Sequence, residues 1–142
     1  VVGIIVSSKR VLIRPLDSFV RSFLSEFTPF VENEQLLDSM ELIFNEALVN
    51  ILDHAYQLDE TKQLSIEIRV DCDTLEFRFE DWGKTFDPAC VPAPNLEQPG
   101  ERGLGLWLMQ QLADEVHYEC GMEGTNVLRL VKRIPDLKLC EE

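Results

Sequence analysis

Between residues 64 and 79 the chain changes its hydrophobic period, and that change limits what it can become. Leu64, Ile66, Ile68 and Val70 alternate with polar residues, and Leu75, Phe77 and Phe79 do so again after the short link Cys72-Asp73. A period of two marks a half-buried strand, and so short a link joins two strands as an antiparallel hairpin. Just upstream the period is helical: Leu36, Leu37, Met40, Ile43, Phe44, Ala47, Leu48, Ile51, Leu52 and Ala55 line one side of Glu34–Tyr56. A hairpin and a long amphipathic helix each have an apolar face to bury. Packing one on the other predicts an α+β fold: a two-layer α/β sandwich, with a mixed, mostly antiparallel sheet and helices on one face. A doubly wound parallel sheet is excluded.

The remaining segments fit around that frame. Lys9–Arg14 reads as a short strand ended by Pro15, and Leu16–Phe27 as an amphipathic helix through Leu16, Phe19, Val20, Phe23, Leu24 and Phe27, with Pro29 marking its end. Pro88, Pro92, Pro94 and Pro99 crowd one short stretch, which predicts a long irregular loop of the kind that usually carries function. Leu104–Ala113 reads as a helix, Glu115–Cys120 as a strand, Gly121–Gly124 as a turn and Thr125–Arg133 as the last strand. Ile134–Glu142 is expected to be a frayed tail. At 142 residues the chain is expected to be one domain, 1–142.

Charge narrows the partners. With 13 Lys+Arg against 26 Asp+Glu, the net charge is −13. Such a chain lacks the basic footprint needed to bind nucleic acid or an anionic membrane, and suits a basic protein partner better. No apolar run approaches a transmembrane span, and the apolar start Val1–Val6 is too short for a signal-peptide core and has no basic flank. Cys72, Cys90, Cys120 and Cys140 form no CxxC motif, so they are expected to be reduced thiols in a cytoplasmic protein.

Three features carry chemistry. Glu46 and Asn50 stand one helical turn apart, with Asp53 following at i+7 from Glu46, on one stripe of the long helix. Asn is a poor mid-helix residue because its amide competes for the backbone, and such local violations tend to mark sites. Asp81-Trp82-Gly83 ends a strand, where a carboxylate can accept from a planar amine ligand and the glycine lets that ligand come close. Gly100-Glu101-Arg102-Gly103-Leu104-Gly105 precedes a helix, where backbone N–H groups can receive an anion. Taken alone, each has a plainer explanation: a solvated helix face, a strand-ending turn, a flexible helix start. Trp82 is expected to be partly buried beside the strand end, Trp107 to lie in the core, and Asp71, Asp73, Glu76 and Glu80 to form a solvated sheet edge.

Together and in this order, the helical E-x-x-x-N, the strand-terminal D-x-G and the G-x-G at a helix start resemble the Bergerat ATP-binding fold of the GHKL, or histidine-kinase-like, ATPases. The run Glu46–Tyr56 ending in His54-Ala55-Tyr56, the Phe86-Asp87-Pro88 that comes after the second box, and the stretch from Arg102 into Gly124-Thr125 resemble more narrowly the bacterial anti-sigma-factor serine/threonine kinases. The resemblance covers about residues 9–133. It implies a Mg-ATP-dependent kinase, cytoplasmic, that binds a sigma factor in one state and phosphorylates an anti-sigma-factor antagonist in another; homodimers are common among such proteins. It further implies that Asn50 offers its side-chain oxygen to Mg²⁺ and that Glu46 accepts the proton of the attacking hydroxyl. Asp81 would accept from adenine, Gly83 would lie beneath the ring, and Thr125 would reach the same base. Gly103, Leu104 and Gly105 would present N–H groups to the phosphates, and Arg102 would place positive charge by the terminal phosphate. Residues 84–102 would form a lid. One departure stands out: Thr85 occupies a position where the family usually has a second glycine, and a β-branched residue tolerates positive φ poorly. This feature supports an alternative in which the chain binds ATP without catalysis and sequesters a protein partner.

Overall fold

The computed structural model of the protein describes residues 1–57, 59–83, 104–120 and 124–140, with backbone only at 54 and 55. The two period-two runs become β2 (Gln63–Val70) and β3 (Thr74–Asp81), joined through a tight turn in which Asp71 N–H donates to Thr74 C=O at 2.9 Å. They lie at the middle of a five-stranded sheet that also contains β1 (Val2–Ser7), β4 (Glu115–Cys120) and β5 (Asn126–Arg133), in the order β1-β2-β3-β5-β4. Every pairing among these strands is antiparallel. Register puts the apolar residues on one face: Phe77 stands between Ile68 and Leu130, and Phe79 between Ile66 and Leu128.

Among the described residues four helices cover that face: α1 (Ile13–Leu24), the short α2 (Thr28–Glu32), α3 (Glu34–Asn50) and α4 (Leu104–Leu112). Asn33 caps α3 by accepting from Leu36 N–H at 3.1 Å. Leu37, Met40, Ile43, Phe44, Ala47 and Leu48 form the buried stripe of α3, and Phe44 packs edge-on to Phe77 and tilted on Phe79, with ring centres 5.4 and 5.3 Å apart. Fully burying a side chain of this kind stabilises the fold by about 1.5–3 kcal/mol, so the α3–β3 contact anchors both elements that carry the site.

Four expectations need correction. Lys9–Arg14 is not a strand: Arg10–Leu12 is a short 3-10 turn and α1 begins at Ile13. Pro15 falls in the first turn of α1, where its missing N–H has no helical partner to lose. The strand lies earlier, at Val2–Ser7. From residue 134 to residue 140 the chain does not fray, since Ile134 and Leu137 are buried in the core. Leu137 N–H donates to Cys72 C=O at 2.9 Å and Cys140 N–H to Glu26 C=O at 2.8 Å. Glu76 and Glu80 belong to a charge ladder on the outer face of the sheet rather than a solvated edge, Glu76 accepting from Arg129 and Glu80 from Arg78, each at 2.7 Å. Trp107 is only half-buried and so not a core residue, while Trp82, expected to be partly buried beside the strand end, is 52% exposed there.

Candidate nucleotide site

α3 does not stop cleanly at Asn50. It runs on through one wider, π-type turn, Ile51–Ala55, in which Tyr56 N–H donates to Ile51 C=O at 3.0 Å. Turns of this kind are rare and often sit at functional sites, because the extra residue re-aims the side chains beyond it. Here it delivers Tyr56, which is buried, against the end of β3. The Tyr56 hydroxyl accepts from Trp82 N–H at 3.1 Å and donates to Gln63 C=O. One side chain thus ties the helix that bears Glu46 and Asn50 to the strand end that bears Asp81. Asp53 takes no part in the stripe, since its carboxylate is ion-paired with Arg10.

At the strand end Asp81 is 4% exposed. Its Oδ1 accepts from Gly83 N–H and from the Asn126 side-chain amide, both at 2.9 Å, and the same Asn126 amide reaches Gly83 C=O at 3.1 Å. Both bonds fall on Oδ1, which leaves Oδ2 to accept from a ligand. Burial pushes the Asp81 carboxyl above its ordinary range, and the Asn126 and Gly83 donors pull it back. Asn126 was not legible as a site residue, because its role depends on the β3–β5 register that sets it opposite Asp81. The available signal was an amide position heading a strand, directly before the apolar pair Val127-Leu128. Thr125, next to it, is buried at the same end of the sheet.

The second cluster lies where α4 crosses α3. A Cβ placed on Gly105 would collide with the Glu46 carboxylate, coming 3.3 Å from its Cδ and 3.7 Å from Asn50 Oδ1. The backbone of the first α4 turn thus comes close to both side chains, and any larger residue here would have to displace the Glu46 carboxylate. Glu46 is half-buried, and desolvation raises its pKa. A carboxylate and an amide oxygen therefore converge beside a helix N-terminus, whose backbone N–H groups favour anions. These residues would fit a magnesium–phosphate group: Asn50 Oδ1 is a hard oxygen beside the first turn of α4, and Mg²⁺ takes most of its ligands from phosphates and water. Leu104 opens α4. Arg102, Gly103 and the expected lid, residues 84–102 with Thr85, lie outside the described residues.

The expected residues thus divide into two clusters joined by Tyr56: Asp81 and Gly83 with the added Asn126, and Glu46 and Asn50 with Gly105. Several known proteins are similar to the chain. Serine-protein kinase RsbW of Bacillus licheniformis is 33% identical over 91 residues, 58% of this chain and 57% of that protein, and its Bacillus subtilis counterpart matches equally well. The chain therefore spans little more than half the length of these relatives. The anti-sigma F factor of Anoxybacillus flavithermus is 27% identical over 130 residues, 85% of this chain and 84% of that one. Among solved structures, a chain of the SiaB-SiaC complex from Pseudomonas aeruginosa shares the fold with a TM-score of 0.70 at 17% identity, covering 92% of this chain and 88% of that one. Residues 7–132, which contain both clusters, match the histidine kinase-like ATPase domain. The chain belongs to that family.

Proposed function

We propose that the chain, acting as one domain over residues 1–142, binds Mg-ATP and transfers its terminal phosphoryl group to a serine or threonine hydroxyl of a protein. The observation behind this reading is the convergence of the Glu46 carboxylate and Asn50 Oδ1 on Gly105 at the start of α4. An ATP-binding domain needs an oxygen for the metal. A kinase needs in addition a base within reach of the same phosphate, and Glu46 stands one turn from Asn50.

Asp81 Oδ2 accepts from the adenine amine, with Gly83 under the ring and Thr125 beside it. The N–H groups of Gly103, Leu104 and Gly105 hold the phosphates, and Arg102 adds positive charge at the terminal one. Asn50, together with the phosphates, would hold magnesium, which would supply charge neutralisation at the leaving group. The partner's hydroxyl oxygen forms a bond to the terminal phosphorus while the bond from that phosphorus to the bridging oxygen breaks. ADP leaves, and the hydroxyl proton passes to Glu46. Burial assists the last step, since a base with a raised pKa binds the proton more firmly.

The names of the relatives, a serine-protein kinase and an anti-sigma factor, support a place in a partner-switching module with a sigma factor and an anti-sigma-factor antagonist as partners, in the cytoplasm. Among the described residues no helix is long and apolar enough to cross a membrane. The test is incubation with Mg-ATP and a candidate antagonist, then mass spectrometry for phosphoserine or phosphothreonine. The expected result is one phosphate per antagonist. ATP binding without transfer would favour the non-catalytic regulatory module that Thr85 supports.

A further inference from the structure

α1 and α4 meet α3 through neighbouring residues. Asn45 turns to α1, where its side-chain amide donates to Asp17 Oδ2 at 2.6 Å, and Glu46 turns to α4, where it meets Gly105. Successive residues of a helix point about 100° apart, so the two contacts open on adjacent flanks of α3. Leu42, three residues before one and four before the other, stands on the ridge between them and is 39% exposed.

On the α1 flank lies a groove of about 360 Å³, lined by Asp17, Arg21, Asp38, Glu41, Leu42 and Asn45. Its charges are unevenly matched. The Arg21 guanidinium donates to Asp38 at 2.8 Å and to Glu41 at 2.6 Å, and Glu34 stands 3.7 Å from it. Asp17, one turn before Arg21, would be its natural partner on α1, yet Arg21 is spent on α3. Asp17 Oδ1 is left shielded from solvent with no donor, a state that polar atoms in folded proteins rarely keep. Burial lifts the Asp17 carboxyl above its ordinary range, the Asn45 donor offsets part of this, and the Glu41 charge adds to it. A second cation in the groove would relieve both the missing partner and the crowding of negative charge. The carboxylates are not gathered for a metal: among the described residues no three His, Cys, Asp or Glu side chains are placed to hold one.

We propose that this groove receives a basic side chain, arginine or lysine, of the protein that is phosphorylated, so that a positive charge is read on the same face as the acceptor hydroxyl. The choice of partner rests on the kinase reading, whereas the call for a cation rests on the groove alone. A hydroxyl presented to Glu46 brings its protein up to the Leu42 ridge, and the groove begins one residue away, at Asn45, within reach of a long side chain. Arginine suits it best, because its planar fork carries five N–H donors, enough to serve Asp17 Oδ1 and Glu41 together. At −13 the chain draws basic proteins in general, and the groove gives that attraction a place beside the proposed base.

The groove is tested on the isotope-labelled chain without nucleotide, by magnetic-resonance titration with a short serine peptide that carries arginines and with the same peptide carrying uncharged citrulline instead. The arginine peptide should shift the Asn45 side-chain amide and the Leu42 and Arg21 signals saturably, and the citrulline peptide should not. Equal shifts with both, or none at these residues, overturn the proposal with no variant needed. In Asp17→Asn and in Glu41→Gln the arginine peptide should bind roughly tenfold more weakly, with ATP titration unchanged; undiminished binding in both variants overturns it as well. The assignment to the phosphorylated protein is read with the candidate antagonist: each variant should raise the KM for that protein by a similar factor, with kcat and ATP affinity as in wild type. An unchanged KM overturns that assignment while the kinase reading stands. A wild type that phosphorylates no protein overturns the kinase reading and with it the choice of partner, and the peptide titration alone then decides whether the groove takes a cation.

Discussion

Asp81 and Glu46 are both partly desolvated carboxylates, but the protein treats them differently. Asp81 sits on a strand, 4% exposed, with two donors on one oxygen and a third contact, Tyr56 to Trp82, fixing the backbone just beyond it. Glu46 sits on a helix face, half-buried, and among the described residues no donor reaches it. The same holds for Asn50. One end of the site is assembled before any ligand arrives. The other keeps its bonding capacity for the ligand and the reaction. On the proposed reading, the assembled end would bind adenine and set affinity, and the open end would keep its interactions for the phosphates and the transition state, where they raise turnover. Binding and chemistry should therefore separate cleanly by mutation.

The largest effect is expected at Glu46. Glu46→Gln keeps the shape and removes the basic oxygen, so phosphotransfer should fall by roughly 10²–10⁴-fold, the range typical of a general base, with ATP affinity nearly unchanged. The wild-type rate should rise with pH through a value above the ordinary 4.5, since burial raises the Glu46 pKa. Glu46→Gln should lose that limb of the profile. Gly105→Ala tests the same cluster indirectly: the added methyl displaces the Glu46 carboxylate, and a displacement of about 1 Å can cost on the order of 10²-fold in rate. If Gly105→Ala weakens ATP binding as much as it slows transfer, Gly105 serves the phosphates and not Glu46.

The adenine end should show the opposite signature. Asp81→Asn retains an oxygen for the Gly83 and Asn126 donors but can no longer accept as a charge. Losing a charged hydrogen bond costs about 1.5–3 kcal/mol, so ATP and ADP affinity should both fall by roughly 10- to 150-fold. The free protein should not lose stability. Because the folded pKa of Asp81 is raised above 3.8, its contribution is most favourable below that value and is lost as pH rises through the folded pKa. At neutral pH the wild type carries a buried charge that Asn removes. Thermal melting of the free variant at or above wild type, together with weakened calorimetric titration, is the expected pair of results. A sharp drop in melting temperature would make Asp81 a structural residue.

How much of this was legible in the sequence depended on the distance between cooperating residues. Glu46 and Asn50 share one helix turn, and Asp81 and Gly83 share one strand end, so spacing alone placed each pair. Asn126 and Tyr56 act on Asp81 and Trp82 from 45 and 26 residues away in the chain. Their roles need strand register and a π-type turn, and no local pattern encodes either. Val2–Ser7 escaped notice as a strand because Ile5 is apolar on the outward side, which blurs the alternation. Lys9–Arg14 imitates one because Val11 and Ile13 alternate, although Arg10–Leu12 forms a turn. The tail looked expendable by composition, yet Ile134 and Leu137 complete the core from the far side of the hairpin turn.

Tyr56 offers the smallest and most discriminating test. Tyr56→Phe keeps the ring in its buried place and deletes only the hydroxyl that bridges Trp82 N–H and Gln63 C=O. Asp81 keeps its bonds to Gly83 and Asn126, so the carboxylate loses a support of its backbone rather than a direct partner. A typical net hydrogen bond contributes about 0.5–1.5 kcal/mol, so ATP and ADP affinities should fall together by roughly 2- to 13-fold. Transfer at saturating ATP should stay at the wild-type rate, because Glu46, Asn50 and Gly105 are untouched. If instead turnover drops and affinity holds, Tyr56 acts through the π-type turn on Asn50. The two ends of the site would then be mechanically coupled, and the division between an assembled end and a reserved end would fail at the residue that joins them.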